Sequence, residues 1–334
     1  MEEEIKEVIK NKTVVITGGA GTIGSAVLET IMNYEPKKVI VLDFSEKGIF
    51  KIENKIQSEK CKAILCNINN TNKVEEIFKE FKPEIVIHTA AYKHVPIMEK
   101  NPIEAITNNI LGTYNLIQIS EKYKVKKFLL ISTDKAVEPI NIMGATKRIC
   151  ELLIKSKSNS KVTDFFAVRF GNVKESSGSL LEIVKEQIKN KEPITLTDSR
   201  MERYFMSIEE AVELILRTIS ISEKGKIYLL DMGEPVNIYN FIKNTLKEAN
   251  MDLPIKNIGI RPGEKLTEKL YYDFEKIQHT KYKKVLKIED ESQEVSSIQE
   301  KVEKIKHIIE KEYDQKQEIY FIINSIIPTY KREE

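Results

Sequence analysis

Seven residues, Gly18-Gly19-Ala20-Gly21-Thr22-Ile23-Gly24, restrict the fold of this chain more than any others. An apolar run precedes them and Ile23, Val27 and Ile31 follow at helical spacing, so the turn stands between a strand (Lys12–Thr17) and a helix reaching Met32. In that setting a GxxGxxG run permits a tight reversal and a close approach of backbone. The N–H groups around Gly18, Gly21, Thr22, Ile23 and Gly24 then face a pyrophosphate at the positive end of the helix. Strands and helices go on alternating: Val39–Asp43, Ala63–Cys66, Ile85–His88 and Phe128–Ile131 read as strands. Helices are expected over Lys73–Phe81 and from an Asn101 cap and Pro102 to about Tyr123. Successive βα units predict an α/β fold with a Rossmann-type, doubly wound parallel sheet.

Asp43 closes the second strand about 20 residues past the glycines, where a carboxylate accepts hydrogen bonds from an adenosine ribose diol and repels a 2′-phosphate. That favours NAD over NADP. The competing reading of Asp43 is a helix cap, although Ser45 serves that purpose as well. Asn67, with Ile68 beside it, stands where an adenine edge would lie. The small Ala90 and Ala91 let backbone pass close to a cofactor. Lys93 and His94 are candidate substrate contacts or parts of a solvated loop, and Lys93 also borders the cofactor side. Asn109, among Ile106, Ile110 and Leu111, predicts an internal hydrogen bond next to the cofactor.

Chemistry concentrates in Ser132–Lys147, STDKAVEPINIMGATK. It follows an apolar strand, and strands of an open α/β sheet deliver functional groups at their carboxyl ends, so Thr133, Asp134 and Lys135 emerge where a ligand would sit. A turn at Pro139 and Asn141 leads into a helix carrying Met143 and Lys147, four apart, on one face. The plain alternative is a polar loop with a surface Asp-Lys pair.

The balance of charge narrows the partners. With 53 Lys and Arg against 51 Asp and Glu, the net charge of +2 offers no field for nucleic acid or lipid. Apolar stretches are strand-sized and no leader or membrane span is read, which predicts a soluble, cytoplasmic protein. Cys61, Cys66 and Cys150 lack metal-ligand spacing and read as buried reduced thiols, and no metal is expected. Residues 1–10 read as a short amphipathic helix with Ile5, Val8 and Ile9 on one side.

At 334 residues the chain accommodates two lobes. Residues 1–172, including the N-terminal helix, are assigned to a dinucleotide-binding domain. Residues 173–334 are assigned mainly to a smaller α/β substrate lobe, with returns to the sheet and C-terminal helices. Arg203 and Arg261 are candidates for bidentate contact with a diphosphate or, singly, surface charges. A charged stretch near 287–294 reads as a loop. Ile298, Val302, Ile305 and Ile309, then Ile319, Ile322 and Ile326, mark two core-facing helices that are also available to a dimer.

Read together, TGGAGTIG, Asp43, STDK and GATK resemble the extended short-chain dehydrogenases/reductases. HTAAYKHVP, STDKAVEPINIMGATK, VRFGNV, SSGS, RYFM, LLDMGEPV and RPGEKL, in this order from about Lys12 to Tyr330, are similar to the nucleotide-sugar 4,6-dehydratases of bacterial polysaccharide and glycan biosynthesis. The resemblance implies UDP-N-acetylglucosamine as substrate, tightly bound and recycled NAD, and a homo-oligomer. Many members carry a long N-terminal membrane region, so this chain would be a short soluble member or an excised catalytic domain. It also implies Asp134 as general acid, Lys135 as general base, Thr133 as a sugar contact and Lys147 as the lysine of the YxxxK pair on the nicotinamide ribose. Lys93, His94, Asn172, Ser179, Arg203, Arg261 and Glu264 fall in motifs that imply substrate contacts. Met143 takes the tyrosine position, as in some membrane-anchored members. Asn67 stands for a usual aspartate, Lys174-Glu175 for an apolar residue and glycine, and Arg200 for an acid.

A thioether cannot titrate, and losing a general base costs on the order of a hundred- to ten-thousandfold, so a plain dehydrogenase or 4-epimerase would suffer badly. A dehydratase needs an acid and a base at C5 and C6, which adjacent Asp134 and Lys135 supply if their surroundings raise one pKa and lower the other. The expectation is a dehydratase that retains configuration at C5. An inverting dehydratase, a UDP-sugar 4-epimerase and a catalytically silent NAD-binding scaffold are the alternatives.

Overall fold

The computed structural model describes residues 2–176, 178–290, 297–311 and 316–330. Helix α1 (Glu2–Ile9) buries Ile5 and Ile9 and leads into β1 (Thr13–Thr17), all five of whose residues are buried. The glycine turn follows, then α2 (Thr22–Met32), β2 (Lys38–Asp43), α3 (Glu46–Lys55), β3 (Cys61–Leu65), α4 (Thr71–Phe81) and β4 (Ile85–His88). Ser45 caps α3, its hydroxyl accepting from Gly48 N, and Asn70 caps α4. These four strands are four to six residues long and mostly apolar or β-branched, and the helices bury their apolar stripes.

After β4 the chain makes α5 (Val95–Lys100), α6 (Pro102–Ala105), one π-helical stretch (Ile106–Leu111) and α7 (Gly112–Lys122). Asn101 precedes α6 without capping it: its amide donates back to Ile97 O at 2.9 Å, because α5 ends there and leaves that carbonyl within reach. Then come β5 (Lys127–Ile131), a single 3-10 turn (Asp134–Ala136), α8 (Ile142–Ser156) and β6 (Asp164–Arg169).

These strands lie in the order β3-β2-β1-β4-β5-β6, all parallel. The strand order reverses between β1 and β4, so their carboxyl ends open a crevice, the place where such sheets take ligands. Beyond β6 the chain leaves for a smaller lobe: β7 (Asn172–Val173), α9 (Leu180–Lys189), β8 (Ile194–Leu196), β9 (Glu202–Arg203), β10 (Phe205–Met206) and α10 (Ile208–Ile221). It returns as β11 (Lys226–Leu230), parallel to β6, and leaves again through β12 (Val236–Asn237), α11 (Ile238–Glu248) and β13 (Ile255–Asn257).

The sheet is completed by β14 (Lys276–His279) and β15 (Val285–Glu289), both antiparallel to their neighbours, giving nine strands. Residues 287–289 therefore belong to a strand, not to a loop, and 291–294 lie outside the described residues. The charges that mask the strand in sequence face its flank: Lys287 pairs with Glu223 at 3.1 Å while Val285 and Ile288 are buried. Helices α12 (Ile298–Glu310) and α13 (Lys316–Ile326) pack Ile298, Val302, Ile305, Ile319, Ile323 and Ile326 into the core beside α8.

One core cluster fills the α4, α7, α8 and α12 side of the sheet and another the α1, α2, α3 and α10 side. A third, around Val184, Ile194, Leu196, Ile238 and Ile242, belongs to the smaller lobe. Two apolar layers around a buried parallel sheet fix its edges, and so fix what emerges from them. Among the described residues no helix is long and apolar enough to cross a membrane.

Candidate active site

The crevice holds two connected cavities. One, of about 260 Å³, is bordered by Gly18, Gly21, Asp43, Asn67, Ile68 and Ala90 among others. The other, of about 800 Å³, runs from Gly21–Gly24 past Lys93 and His94 to Thr133, Lys135, Met143 and Lys147, and ends at Asn172 and Ser179.

Glycine is required at two points of the turn. Gly18 has φ +66°, and a Cβ there would stand 2.6 Å from the Ala90 backbone; a Cβ on Gly24 would stand 2.3 Å from Gly18 O. Gly21 caps α2 with no side-chain bond, so the first-turn amides of Thr22, Ile23 and Gly24 face the cavity without a side-chain cap. The Asp43 carboxylate accepts from Ala20 N at 3.0 Å and Ser45 N at 2.9 Å, which ties the turn to the end of β2 and leaves acceptor sites for a diol. Ser45 is the helix cap. Asn67 accepts from Asn69 N at 2.9 Å, while its neighbour Ile68 is buried.

Asn109 does make the internal hydrogen bonds. Its amide carbonyl accepts from Tyr92 N at 2.8 Å and its amide nitrogen donates to Tyr92 O and Thr146 Oγ1, both at 3.0 Å. It thereby holds the segment after Ala91 against α8, one layer behind the cavity wall. His88 is a residue that sequence reasoning passed over. It lies fully buried between Thr17 Oγ1 at 2.7 Å and Thr113 Oγ1 at 2.8 Å, and burial, with the charge of Lys147 behind it, pushes its pKa down to about 3. Because Thr113 donates its own proton to Asn109 O, His88 Nε2 carries the hydrogen and Nδ1 accepts from Thr17.

The segment after β5 is set by three ties. Asp134 N donates to Phe170 O at 3.0 Å, Asn141 caps α8 through Gly144 N at 2.7 Å, and Asn141 Nδ2 donates to Gly263 O at 2.9 Å. Asp134 is fully buried, and its Oδ1 receives Thr133 Oγ1 at 2.9 Å and Lys135 Nζ at 3.0 Å. Oδ2 has no partner among the described residues. Lys135 also donates to Asn172 Oδ1 at 3.3 Å and stands 3.8 Å from Glu268. Burial alone would lower the Lys135 pKa, but Asp134 and Glu268 outweigh it and raise it. The expected lowering at Lys135 is thus reversed: two carboxylates, one of them missed in the sequence, hold the ammonium form.

Met143 and Lys147 lie one turn apart on α8 and both border the large cavity. Burial lowers the Lys147 pKa against the pull of Cys150 and Glu151. Lys93 Nζ donates weakly to Ser176 Oγ at 3.4 Å, and Gly178 comes against the His94 ring. Ser179 caps α9 through Glu182 N at 3.4 Å.

Two expected diphosphate contacts are elsewhere. Arg203 spends its guanidinium on the carbonyls of Glu202, Lys265 and Leu266 at 2.7–3.0 Å, because the 265–266 backbone crosses it and adds two acceptors to the carbonyl of its own neighbour Glu202. Arg261 is exposed near Glu264 at 4.0 Å, and neither borders the cavities.

Behind Ser132 lies a buried ionic cluster. Glu151 accepts from Ser132 Oγ at 2.7 Å and from Arg169 at 2.7 and 3.0 Å, and Arg169 also donates to Glu275 at 2.7 and 3.0 Å. Arg148 joins both carboxylates at 3.3 and 3.6 Å.

A doubly wound sheet with a glycine turn at its switch point, an acidic residue after β2 and a Lys-bearing helix after β5 define an extended short-chain dehydrogenase/reductase fold. The chain belongs to the polysaccharide biosynthesis protein family, whose pattern it matches over residues 14–290. It is 44% identical over 276 residues to the capsular polysaccharide biosynthesis protein CapD of Staphylococcus aureus, covering 80% of this chain and 46% of that one. The chain thus spans less than half the length of that relative. A UDP-glucose 4-epimerase of Rickettsia bellii is 35% identical over 272 residues (78% and 77% covered). An inverting UDP-N-acetylglucosamine 4,6-dehydratase of Campylobacter jejuni is 33% identical over 262 residues (77% and 76%). Among solved structures, Pen from Bacillus thuringiensis superposes with a TM-score of 0.80 at 33% identity (85% and 89%). The NAD complex of Thermus thermophilus UDP-glucose 4-epimerase superposes at 0.69 and 22% identity (77% and 90%), a likeness of fold.

Proposed function

We propose that this chain is an NAD-dependent UDP-N-acetylglucosamine 4,6-dehydratase that retains configuration at C5. The observation that carries the reading is the 3.0 Å contact between buried Asp134 and Lys135, which borders a cavity also lined by Met143 at the tyrosine position. Residues 1–172 would bind the cofactor, and the lobe after them would close over the nucleotide sugar.

The residues present fit a dinucleotide. Gly18 and Gly24 let the turn fold tightly on itself and against Ala90, the uncapped α2 amides suit a pyrophosphate, Asp43 retains acceptor capacity for a ribose diol, and Lys147 reaches the far end of the same cleft. When bound, NAD supplies the acceptor for hydrogen removed from C4 and the donor that delivers it to C6. Productive chemistry starts from Asp134 as carboxylate and Lys135 as free amine. Thr133 passes the O4 proton to Asp134 Oδ1, to which it is already hydrogen-bonded. The ketone so formed acidifies C5. Lys135 takes the C5 proton while Asp134 gives its proton to the departing C6 hydroxyl, and water leaves. Lys135 then returns a proton to C5 from the face it came from, which keeps configuration, and both groups are back at their starting charge.

A second reading, the inverting dehydratase, is favoured by the Campylobacter relative. Lys93 and His94 line the cavity and offer groups for protonation from another face. Incubating the purified protein with UDP-N-acetylglucosamine in D₂O and recording proton NMR tests both. A C6 methyl signal with deuterium at C5 supports dehydration, and the ring couplings separate retention from inversion. UDP-N-acetylgalactosamine in place of a methyl product would instead mean a 4-epimerase.

A further inference from the structure

Glu268 is a buried carboxylate that the mechanism above leaves unused. It is 4% exposed, and its Oε2 has no hydrogen-bond partner among the described residues. Among the described residues its close charges are two ammonium groups, Lys135 at 3.8 Å from Oε1 and Lys265 at 3.7 Å from Oε2. Lys265 is committed elsewhere, donating to Val137 O at 2.8 Å. Withdrawing a carboxylate from water without donors is costly, and neither ion pair is close enough to return that cost in full. The position is nevertheless tightly defined: Arg203 clamps the carbonyls of Lys265 and Leu266, three and two residues before Glu268. The clamp aims the glutamate at Lys135.

We propose that Glu268 is a positioning residue that sets the basicity of Lys135 and stabilises the ammonium group formed when Lys135 takes the C5 proton. The inference rests on Lys135 acting as the base in the function proposed above. Every other charged group facing Lys135 has a partner or lies farther away. Asp134 shares its Oδ1 between Thr133 and Lys135. Arg203 and Lys93 carry positive charge on the other flanks, as does Lys265. Asp134 changes charge during each turnover, whereas Glu268 does not, so it supplies a constant negative field while Asp134 goes from carboxylate to acid and back. Lys135 is thereby a stronger base when the C5 proton moves, and its positive charge is balanced while Asp134 still carries its proton.

The test is the pH dependence of turnover in Glu268→Gln, with deuterium at C5 of the substrate as a second readout. Turnover of the native enzyme rises as Lys135 loses its proton. In the variant that limb moves to lower pH by about one unit or more. The plateau falls about tenfold, consistent with a weaker base, and the C5 isotope effect grows. A structural role alone would lower the plateau without moving the limb. An unmoved limb with an unchanged isotope effect overturns the proposal. Should Glu268→Gln fail to fold, Glu268→Asp, which keeps the charge and draws it back, is expected to give a smaller shift in the same direction, and no shift overturns it. ¹⁵N NMR titration of the lysine side chains, comparing native protein with either variant, reads the Lys135 pKa without turnover. If native protein makes no methyl product, the proposed function fails on its own, and the titration still decides whether Glu268 governs Lys135.

Discussion

Lys135 Nζ lies 3.0 Å from Asp134 Oδ1, so the two side chains assigned to base and acid share one hydrogen bond while they are neighbours in sequence. Their charges cannot be varied independently, and removing either leaves the other's charge buried without its partner. Asp134→Asn and Lys135→Met should each reduce turnover by at least about a hundredfold. Bound NAD, measured by absorbance after denaturation, should stay at native stoichiometry. Near-native rates in either variant would remove the pair from the mechanism.

Thr133 Oγ1 donates to the same Asp134 oxygen at 2.9 Å. Thr133→Val keeps the shape and deletes the proton path, so C4 oxidation should slow by about tenfold or more. Rapid-mixing absorbance at the reduced-nicotinamide band reads that step. Unchanged kinetics would leave the O4 proton to a water.

Met143 is buried against the cavity but does no proton work in this scheme. Met143→Leu, close to volume-conserving, should therefore hold turnover within about threefold and stability within about 1.5 kcal/mol. A hundredfold loss would show that the thioether itself takes part.

The close approach of Gly24 to Gly18 O leaves no space for a side chain. Gly24→Ala should lose most of the bound nucleotide and destabilise the fold by about 1–3 kcal/mol. Thermal melts with and without added NAD separate the two effects.

Burial alone would push the Glu151 pKa up, but the charge and hydrogen bonds of Arg169, with Arg148 and Ser132, bring it below its ordinary 4.5. A depressed carboxyl stabilises the fold above the unfolded value near 4.5 and loses that contribution as pH falls through the folded value. Urea midpoints of the native protein should therefore fall as pH drops from 5 toward 3. In Glu151→Gln that slope should be shallower, on top of a loss of about 3–5 kcal/mol at neutral pH from the uncompensated arginine. Equal slopes in both proteins would show that Glu151 is not the group responsible.

The sheet was legible because apolar strands and capped helices carry local signals: β4 is placed residue for residue, and α8 starts directly after the turn at Asn141, which is its cap. Asp134, Lys135 and Met143 are legible for the same reason, since one strand end and one helix turn position all three. Glu268 and Glu275 leave no such trace. Their partners are 133 and 106 residues away, and no periodicity in sequence reports a pairing across that distance. Arg203 shows the converse: an isolated arginine reads as a ligand contact until the crossing of the 265–266 backbone gives it two carbonyls beside that of Glu202. The strand at 285–289 escaped because Lys287 and Glu289 interrupt its apolar residues with surface charge.

The Arg169-Glu275 pair also bears on how the protein must be made. A ribosome delivers the catalytic segment and both arginines well before it delivers Glu275, Lys265 or Glu268, and Glu275 closes the ionic cluster from 106 positions downstream of Arg169. Until then a nascent chain holds two guanidinium groups whose burial is only half neutralised, so the site-bearing half has reason to stay open during synthesis. Cutting the gene at the apparent seam near residue 172 would separate those arginines from their counter-charge, which makes the two halves poor candidates for independent expression or for domain exchange among relatives.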